Sequence, residues 1–207
     1  MPRAGLAPAT VIEAGAALAD EVGFANLSMG LLAERLGVRT PSLYKHVDSL
    51  DALRRGIAVH AAREFRDAVG RAAVGKSGAE AVRAFADAHR RWALDHPGRY
   101  AATVRAPAAG DEEHNRVNND VMRLVYDVLA DFEEPGAHAV DAARALRTAL
   151  HGFAALEIAG GFGLPRDIDR SYRFLVDTII AGLQQGRSEE TGSEPSPSRQ
   201  FHQNDSR

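Results

Sequence analysis

The side chains with the clearest chemical potential stand together in one short stretch, in which hydroxyl, phenol, ammonium and imidazole groups alternate with apolar residues. Leu43 and Val47 are four residues apart, so a helix there would turn both toward the protein interior. The same helix would turn outward Ser42, Tyr44, Lys45 and His46. Such groups can hydrogen-bond to phosphate oxygens and base edges, so the stretch predicts binding to a nucleic acid rather than catalysis.

Two short predicted helices position these side chains. The first runs from Ser28 to Leu36, buries the leucines at 27, 31, 32 and 36, and has the small Ala33 where a second helix must cross closely. Gly37 suits the left-handed conformation that ends a helix and turns the chain. The second helix is predicted to begin with Thr40 as its cap and Pro41 as its first residue, and to end near His46. The arrangement is a helix-turn-helix, which presents its second helix to the DNA major groove.

The same stretch is similar to a known family. From Gly37 to Ser49 the chain has Gly-Val-x-x-Pro-Ser-Leu-Tyr-x-His-Val followed by Asp-Ser, which resembles the recognition-helix signature of the TetR family of regulators. Gly23-Phe24 and Leu27-Ser28 resemble the link that precedes it in that family. The resemblance covers about Val11 to Leu53, and the remainder is similar to the family's larger helical C-terminal domain.

The resemblance implies specific contacts with double-stranded operator DNA. Thr40 and Ser42 would face base edges, Tyr44 and Ser28 would bind phosphates, and Lys45 would release counterions. Arg39 would contact guanine or phosphate. The full predicted DNA-binding set is Ser28, Met29, Arg39, Thr40, Pro41, Ser42, Tyr44, Lys45 and His46. Gly30 and Leu50 depart from the family pattern, in which Arg and Lys are common, so the operator sequence does not carry over.

Composition agrees with a globular protein. Hydrophobic residues make up 45% and charged residues 26%, and the net charge of −3 leaves room for a local basic surface around Arg35, Arg39 and Lys45. The chain has no cysteine, so disulfides and thiolate metal sites are excluded. No apolar run approaches the roughly 20 residues that span a bilayer, and the N-terminus lacks the apolar core of a signal peptide. We therefore expect a cytoplasmic protein with no membrane association.

Apolar residues recur at helical spacing along the whole chain, with no sustained alternation of period two. The predicted fold class is all-α with about nine helices. Three domain assignments follow: 1–52 as the helix-turn-helix domain, 53–185 as a helical effector-binding and dimerisation domain, and 186–207 as a disordered tail rich in Ser, Glu, Gly and Pro.

The resemblance implies that the C-terminal domain binds an unknown small-molecule effector and forms a homodimer through its last two long helices. Aromatic and polar residues that could line an effector pocket are Phe85, His89, Trp92, Tyr126 and His151. The last two long helices are predicted to pair with those of a second copy, because small residues along the first would allow close approach: Ala142, Ala143, Gly152, Ala154 and Ala155. Such a dimer would place two recognition helices about 34 Å apart over a palindromic operator, and an effector would release it as a repressor.

Competing interpretations have weaker support. The stretch Gly70 to Ser77 matches the P-loop pattern, but the residues before it are helical in pattern, and Ser77 with Glu80 is predicted to form a helix capping box. The histidines fall in separate segments, so no metal site or cofactor is expected. No set of nucleophile, base and acid can be chosen, so we predict no enzymatic activity. Two alternatives remain, a helical small-molecule-binding protein without DNA activity and a P-loop nucleotide-binding protein.

Overall fold

The computed structural model describes residues 6–132 and 136–191, and within those ranges the regular structure is entirely helical. The nine α-helices are α1 (Pro8–Val22), α2 (Met29–Arg35), α3 (Thr40–Leu43), α4 (Leu50–Ala73), α5 (Gly78–Asp95), α6 (Pro97–Thr103), α7 (Glu112–Leu129), α8 (Ala137–Ile158) and α9 (Ile168–Thr191). A 3-10 turn, Phe24–Asn26, joins α1 to α2. The predicted all-α fold class is confirmed.

The first three helices and the start of α4 enclose a core of their own. Val11 of α1, Leu32 of α2, Leu43 of α3 and Ile57 of α4 are all fully buried in it. The α4 helix begins at Ser49, whose Oγ accepts a hydrogen bond from the backbone N–H of Ala52 at 3.0 Å, as an N-cap does. We name this unit, residues 8–58, the reading head.

The reading head extends past the boundary predicted after residue 52. Leu53, Ile57 and Ala58 of α4 belong to its core, and so does Ala102 of α6. The second core begins on the same helix at Ala61 and continues through Phe65 and Val69. One uninterrupted helix therefore carries both cores, so the two units share a rigid element instead of a flexible linker.

The larger helical unit packs α5, α7, α8 and α9 around the second half of α4. Its core includes Phe85, Leu129, Leu146, Leu150 and Tyr172. The Tyr172 hydroxyl donates to the carbonyl oxygen of Ala86, so this buried phenol is satisfied and ties α9 to α5. No helix within the described ranges is both long enough and apolar enough to cross a lipid bilayer.

The P-loop interpretation has no structural context. Gly70 lies inside α4 and the residues before it are helical, whereas a P-loop follows a strand. The predicted capping box at Ser77 is also wrong, since the Ser77 side chain makes no cap hydrogen bond. Instead Lys76 pairs with Glu80 at 2.8 Å, and the Asp131 carboxylate accepts from the N–H of Gly78 at 2.6 Å. A carboxylate from the turn after α7 therefore replaces the local cap.

The end of the chain also differs from prediction. The disordered tail was expected from Gly186, but α9 continues to Thr191. Extending an existing helix costs little compared with starting one, so polar residues can prolong it. Residues 192–207 of the predicted tail lie outside the described residues.

Candidate nucleic-acid interface and effector cavity

Local interactions set the turn of the helix-turn-helix. The Ser28 hydroxyl oxygen caps α2 by accepting from the N–H of Leu31 at 3.2 Å. At the other end, Gly37 has φ of 65°, and the N–H of Val38 donates to the carbonyl of Ala33 at 3.0 Å. This left-handed glycine with a bond back across the last turn satisfies carbonyls that the helix end would leave free.

The recognition helix α3 is shorter than predicted. It is α-helical over Thr40–Leu43 and continues as turns, with the N–H of His46 donating to the Leu43 carbonyl at 2.9 Å. Its N-cap is Arg39 and not Thr40, because Arg39 has the extended backbone of a cap whereas Thr40 is already helical. Leu43 is 0% exposed and Val47 is 7% exposed, so both anchor α3 in the head.

Most of the predicted DNA-binding side chains are accessible on one side of the reading head. Arg39, Pro41, Tyr44 and Lys45 are exposed. Ser28, Thr40, Ser42 and His46 are partly exposed. Met29 does not belong with them, because its side chain is 6% exposed and packs into the core of the head. The backbone N–H of Met29 lies in the first turn of α2, where N–H groups have no acceptor within the helix.

The positive charge on this surface is concentrated at α3. Arg35 is neutralised by an ion pair with Glu21 at 2.6 Å, so it adds less than the sequence suggested. Arg39 and Lys45 have no ion pair with any residue in the described part of the chain. They are therefore available to phosphates.

A cavity of about 600 Å³ lies inside the larger unit, between α4, α5, α6, α7 and α8. Three of the five predicted pocket residues line it, namely Phe85, His89 and His151. Trp92 and Tyr126 do not. Trp92 packs edge-on against Phe65 with ring centres 5.2 Å apart, one turn beyond His89, and Tyr126 lies one turn beyond Met122 with its side chain 37% exposed. The cavity ends before either residue.

Tyr100 connects the two histidines of the cavity and was not singled out from the sequence. Its hydroxyl lies 3.3 Å from Nε2 of His89 and 2.8 Å from Nδ1 of His151. Burial, followed by the positive charges of His151 and Arg147, lowers the pKa of His89 to about 4, so its imidazole is neutral near pH 7. Burial raises the pKa of the Tyr100 phenol.

Further lining residues are polar and were also missed. Arg144, Arg147 and Thr148 come from α8, Asn115, Asn118 and Asn119 from α7, and Thr103 from α6. The asparagines are spaced i, i+3, i+4, which puts them on one side of a helix and could have been noticed in the sequence. Within the described residues, no group of three or more His, Asp or Glu could hold a metal ion.

Comparison with known proteins agrees with this architecture. Residues 11–56 match the domain described as bacterial regulatory proteins of the tetR family, and residues 82–179 match the tetracyclin repressor-like C-terminal domain. The uncharacterised HTH-type transcriptional regulator Rv0681 of Mycobacterium tuberculosis is 34% identical over 182 residues, 87% of this chain and 83% of its own. The chain belongs to the TetR family.

Solved structures of other proteins share the fold of this chain. A TetR variant from Acinetobacter baumannii AYE, solved in complex with minocycline, is 26% identical with a TM-score of 0.66, and the match covers 88% of this chain and 99% of that one. BioQ, solved with its double-stranded DNA operator, superposes with a TM-score of 0.59 at 22% identity over 86% of this chain and 99% of BioQ. This TetR-family protein is thus a DNA-binding transcriptional regulator and not an enzyme.

The α6 helix of this TetR-family regulator contacts both the cavity and the reading head. Tyr100 and Thr103 line the cavity. On the head side, the Arg99 backbone N–H donates to the Asp20 carboxylate at 2.8 Å, and the Arg99 guanidinium pairs with the same group at 3.2 Å. A short helix of seven residues therefore spans the distance between the ligand space and α1.

Proposed function

We propose that this TetR-family regulator is a homodimeric cytoplasmic repressor, which leaves a palindromic operator when a small organic effector fills the cavity between α4 and α8. The observation that carries the proposal is the single helix α6, which lines the cavity with Tyr100 and holds α1 through Arg99. A ligand that displaces Tyr100 must also shift the contacts of Arg99 with Asp20.

The DNA contacts assigned to this function come from α3 and the start of α2. Thr40 and Ser42 would meet base edges, while Tyr44, Lys45 and Arg39 would bind phosphates. The side chains of Tyr44, Lys45 and Arg39 are exposed, and neither Lys45 nor Arg39 has an ion pair within the described residues. Both observations support this assignment. Ser28 uses its hydroxyl oxygen to cap α2, and its hydroxyl proton stays available for a phosphate oxygen.

Homodimer formation is supported by the open faces of α8 and α9. A β-carbon at Gly152 or Gly182 would meet no other part of the described structure within 4 Å, so no described neighbour requires glycine at either position. Glycine in a helix interior costs about 0.5–1 kcal/mol relative to alanine, which close approach of a second copy would offset. Leu156 is 51% exposed and Phe174 is 75% exposed, and both are large apolar side chains on these two helices.

Part of the predicted dimer stripe faces inward instead. Ala142, Ala143 and Ala154 are buried in the subunit's own core, whereas Gly152 and Ala155 are partly exposed. The proposed interface therefore rests on the opposite face of α8. A self-complementary pairing of α8 and α9 would make a four-helix interface with two-fold symmetry.

A second connection between cavity and head runs through α7. The Arg55 guanidinium of α4 forms a forked pair with the Asp111 carboxylate, at 2.5 Å and 2.6 Å, and also contacts Glu113 at 3.0 Å. The same α7 carries Asn115 and Asn118 in the cavity lining. An effector that moves the start of α7 would thus change the support of α4 at Arg55, inside the reading head, which shifts the population between two head positions.

The decisive experiment is selection of bound DNA from a random oligonucleotide pool by the purified full chain at low salt. We expect an enriched inverted repeat, and loss of binding to it when a small-molecule extract is added. Enrichment of no sequence would overturn the repressor proposal, and release by no extract would overturn the effector part alone.

A further inference from the structure

We infer that the effector of the α4–α8 cavity is an organic anion with an apolar body, whose negatively charged group binds beside Arg147 and His151 on α8. This inference rests on the proposed effector-responsive function and specifies the chemistry of the same site.

The cavity lining carries positive charge and no negative charge. Arg144 and Arg147 line the cavity, and the lining contains neither aspartate nor glutamate. The chain as a whole carries more acids than bases, with a net charge of −3, so an acid-free lining runs against the composition. Arg144 and Arg147 are exposed and line the cavity, and a ligand anion would form charge-assisted hydrogen bonds with them that no acidic side chain of the lining provides.

Arg147 is the cation best placed to bind the anion. Arg144 has a distant contact with Asp141 at 3.8 Å, whereas Arg147 has no hydrogen bond or ion pair with any described residue. Its positive charge nevertheless acts on the cavity interior, because it lowers the pKa of both His89 and Tyr100. A guanidinium presents paired N–H donors that match a carboxylate.

The histidine–tyrosine chain supplies further hydrogen-bonding groups beside Arg147. If the Tyr100 hydroxyl donates to Nδ1 of His151 across the shorter contact of 2.8 Å, the Nε2 of His151 carries the proton. Arg147 and His151 are four residues apart on α8, so both donors lie on one side of the helix. His89 is 5% exposed, and its Nδ1 is a buried polar atom with no hydrogen-bond partner in the described structure. An unsatisfied polar atom on a cavity wall is a feature that a bound ligand would explain.

The rest of the lining fits an apolar body. Phe65, Phe85, Val125 and Leu150 form the inner wall, and the volume of about 600 Å³ is within the usual range for small-molecule sites. Asn118 and Thr148 could hydrogen-bond polar substituents. The lining thus selects amphipathic monoanions over cations and over purely polar anions.

The test compares probes that differ only in charge, on the full chain without DNA. Two triplets are used: octanoate, octan-1-ol and octylamine, and 3-phenylpropanoate, 3-phenylpropan-1-ol and 3-phenylpropylamine. Within at least one triplet, the carboxylate should bind most tightly by calorimetry and raise the melting temperature most. Equal binding of alcohol and carboxylate, tighter binding of the amine, or no binding of either carboxylate would overturn the inference.

Two arginine substitutions test where on the cavity lining the anion binds. Arg147→Gln should weaken carboxylate binding by about ten- to a hundredfold while leaving alcohol binding unchanged, as expected for loss of a hydrogen bond to a charged group. Arg123→Gln is the matched control, because Arg123 is 72% exposed, pairs with Asp120 and lies outside the cavity. An equal loss in both variants, or none in Arg147→Gln, would contradict the assignment. Operator binding by the ligand-free chain is measured separately, so failure of the regulator proposal and failure of the anion inference give different results.

Discussion

A β-carbon added to Gly98 would lie 2.0 Å from the carbonyl oxygen of Ala19. The backbone of α6 therefore touches the backbone of α1 with no side chain between them, at the point where the larger helical unit meets the reading head. The neighbouring contacts would be equally short, at 2.1 Å to the Ala19 carbonyl carbon and 2.5 Å to the Asp20 nitrogen. Backbone atoms cannot change rotamer as a side chain can. The helices α6 and α1 can therefore only move together or separate.

Gly98→Ala should therefore destabilise the protein strongly. We expect the free energy of unfolding to fall by about 3 kcal/mol, at the upper end of overpacking effects, because the clash is with backbone. Urea denaturation followed by circular dichroism measures this. Gly70→Ala is the control: its β-carbon would lie at an ordinary 3.5 Å from Leu124, so stability should rise by about 0.5–1 kcal/mol. Equal stability of the two variants would show that α6 is not held against α1.

The two lysines of the chain provide a matched test of the DNA surface. Lys45 is exposed on the reading head without an ion pair in the described residues, whereas Lys76 is paired with Glu80 in the loop before α5. Lys45→Gln should weaken operator binding and, in a dimer, reduce the slope of log affinity against log salt by about 2, one phosphate contact per subunit. Lys76→Gln should leave both quantities unchanged. Gel shifts at several salt concentrations measure them, and identical curves for the two variants would remove Lys45 from the interface.

Phe174 offers a test of dimer formation. Its side chain is 75% exposed on α9, and replacing it with a charged residue would put a desolvated carboxylate into the proposed interface. Phe174→Glu should yield a folded monomer in sedimentation velocity, with operator affinity reduced at least about tenfold because specific binding needs two heads. Val74→Glu, at an equally exposed position of 77% in the loop after α4, should remain a dimer. A dimeric Phe174→Glu protein would place the interface elsewhere.

The Arg55–Asp111 pair predicts a defined acid sensitivity. Hydrogen bonding to Arg55, followed by that to the His114 backbone, lowers the pKa of Asp111 from 3.8 to about 2, and burial opposes this shift. Because the folded pKa lies below the unfolded one, the stabilisation is fully present above about pH 4 and is lost as the pH falls toward 2.

A double-mutant cycle with Asp111→Asn and Arg55→Gln should show favourable coupling in unfolding experiments at pH 6. Asparagine keeps the capping oxygen of α7, so the cap is preserved while the ion pair with Arg55 is lost. Coupling that persists unchanged at pH 2 would mean that the carboxylate charge is not responsible.

Local signals explain why the reading head could be predicted in detail. Ser28, Gly37 and Ser49 act within three or four residues of themselves, and Leu43 with Val47 is a one-turn pair. Left-handed turns and helical periodicity depend on neighbours in the chain, so the sequence predicted the turn at Gly37 and the inward-facing pair Leu43 and Val47 correctly. The errors there are a cap shifted from Thr40 to Arg39 and an α3 shorter than predicted. Leu31 was predicted to be buried but is 39% exposed, and the side chain of Met29 faces the core instead of the DNA.

The cavity shows the limit of that reasoning. Periodicity correctly placed Phe85 and His89 on one side of α5, but it also included Trp92, one turn too far. How far the cavity extends along α5 depends on which side chains from other helices cross it. Here Tyr100 of α6 crosses it, and no sequence feature near Tyr100 indicates this role.

The sequence alone thus determined the helices, the helix-turn-helix and the membership of a regulator family, because these follow from short-range periodicity and capping. Only the tertiary structure decided that Arg147, His151, Tyr100 and His89 meet in one acid-free cavity, and that Gly98 lets α6 touch α1. Those relationships join segments up to about eighty residues apart, such as Ala19 with Gly98, and depend on how packed helices cross.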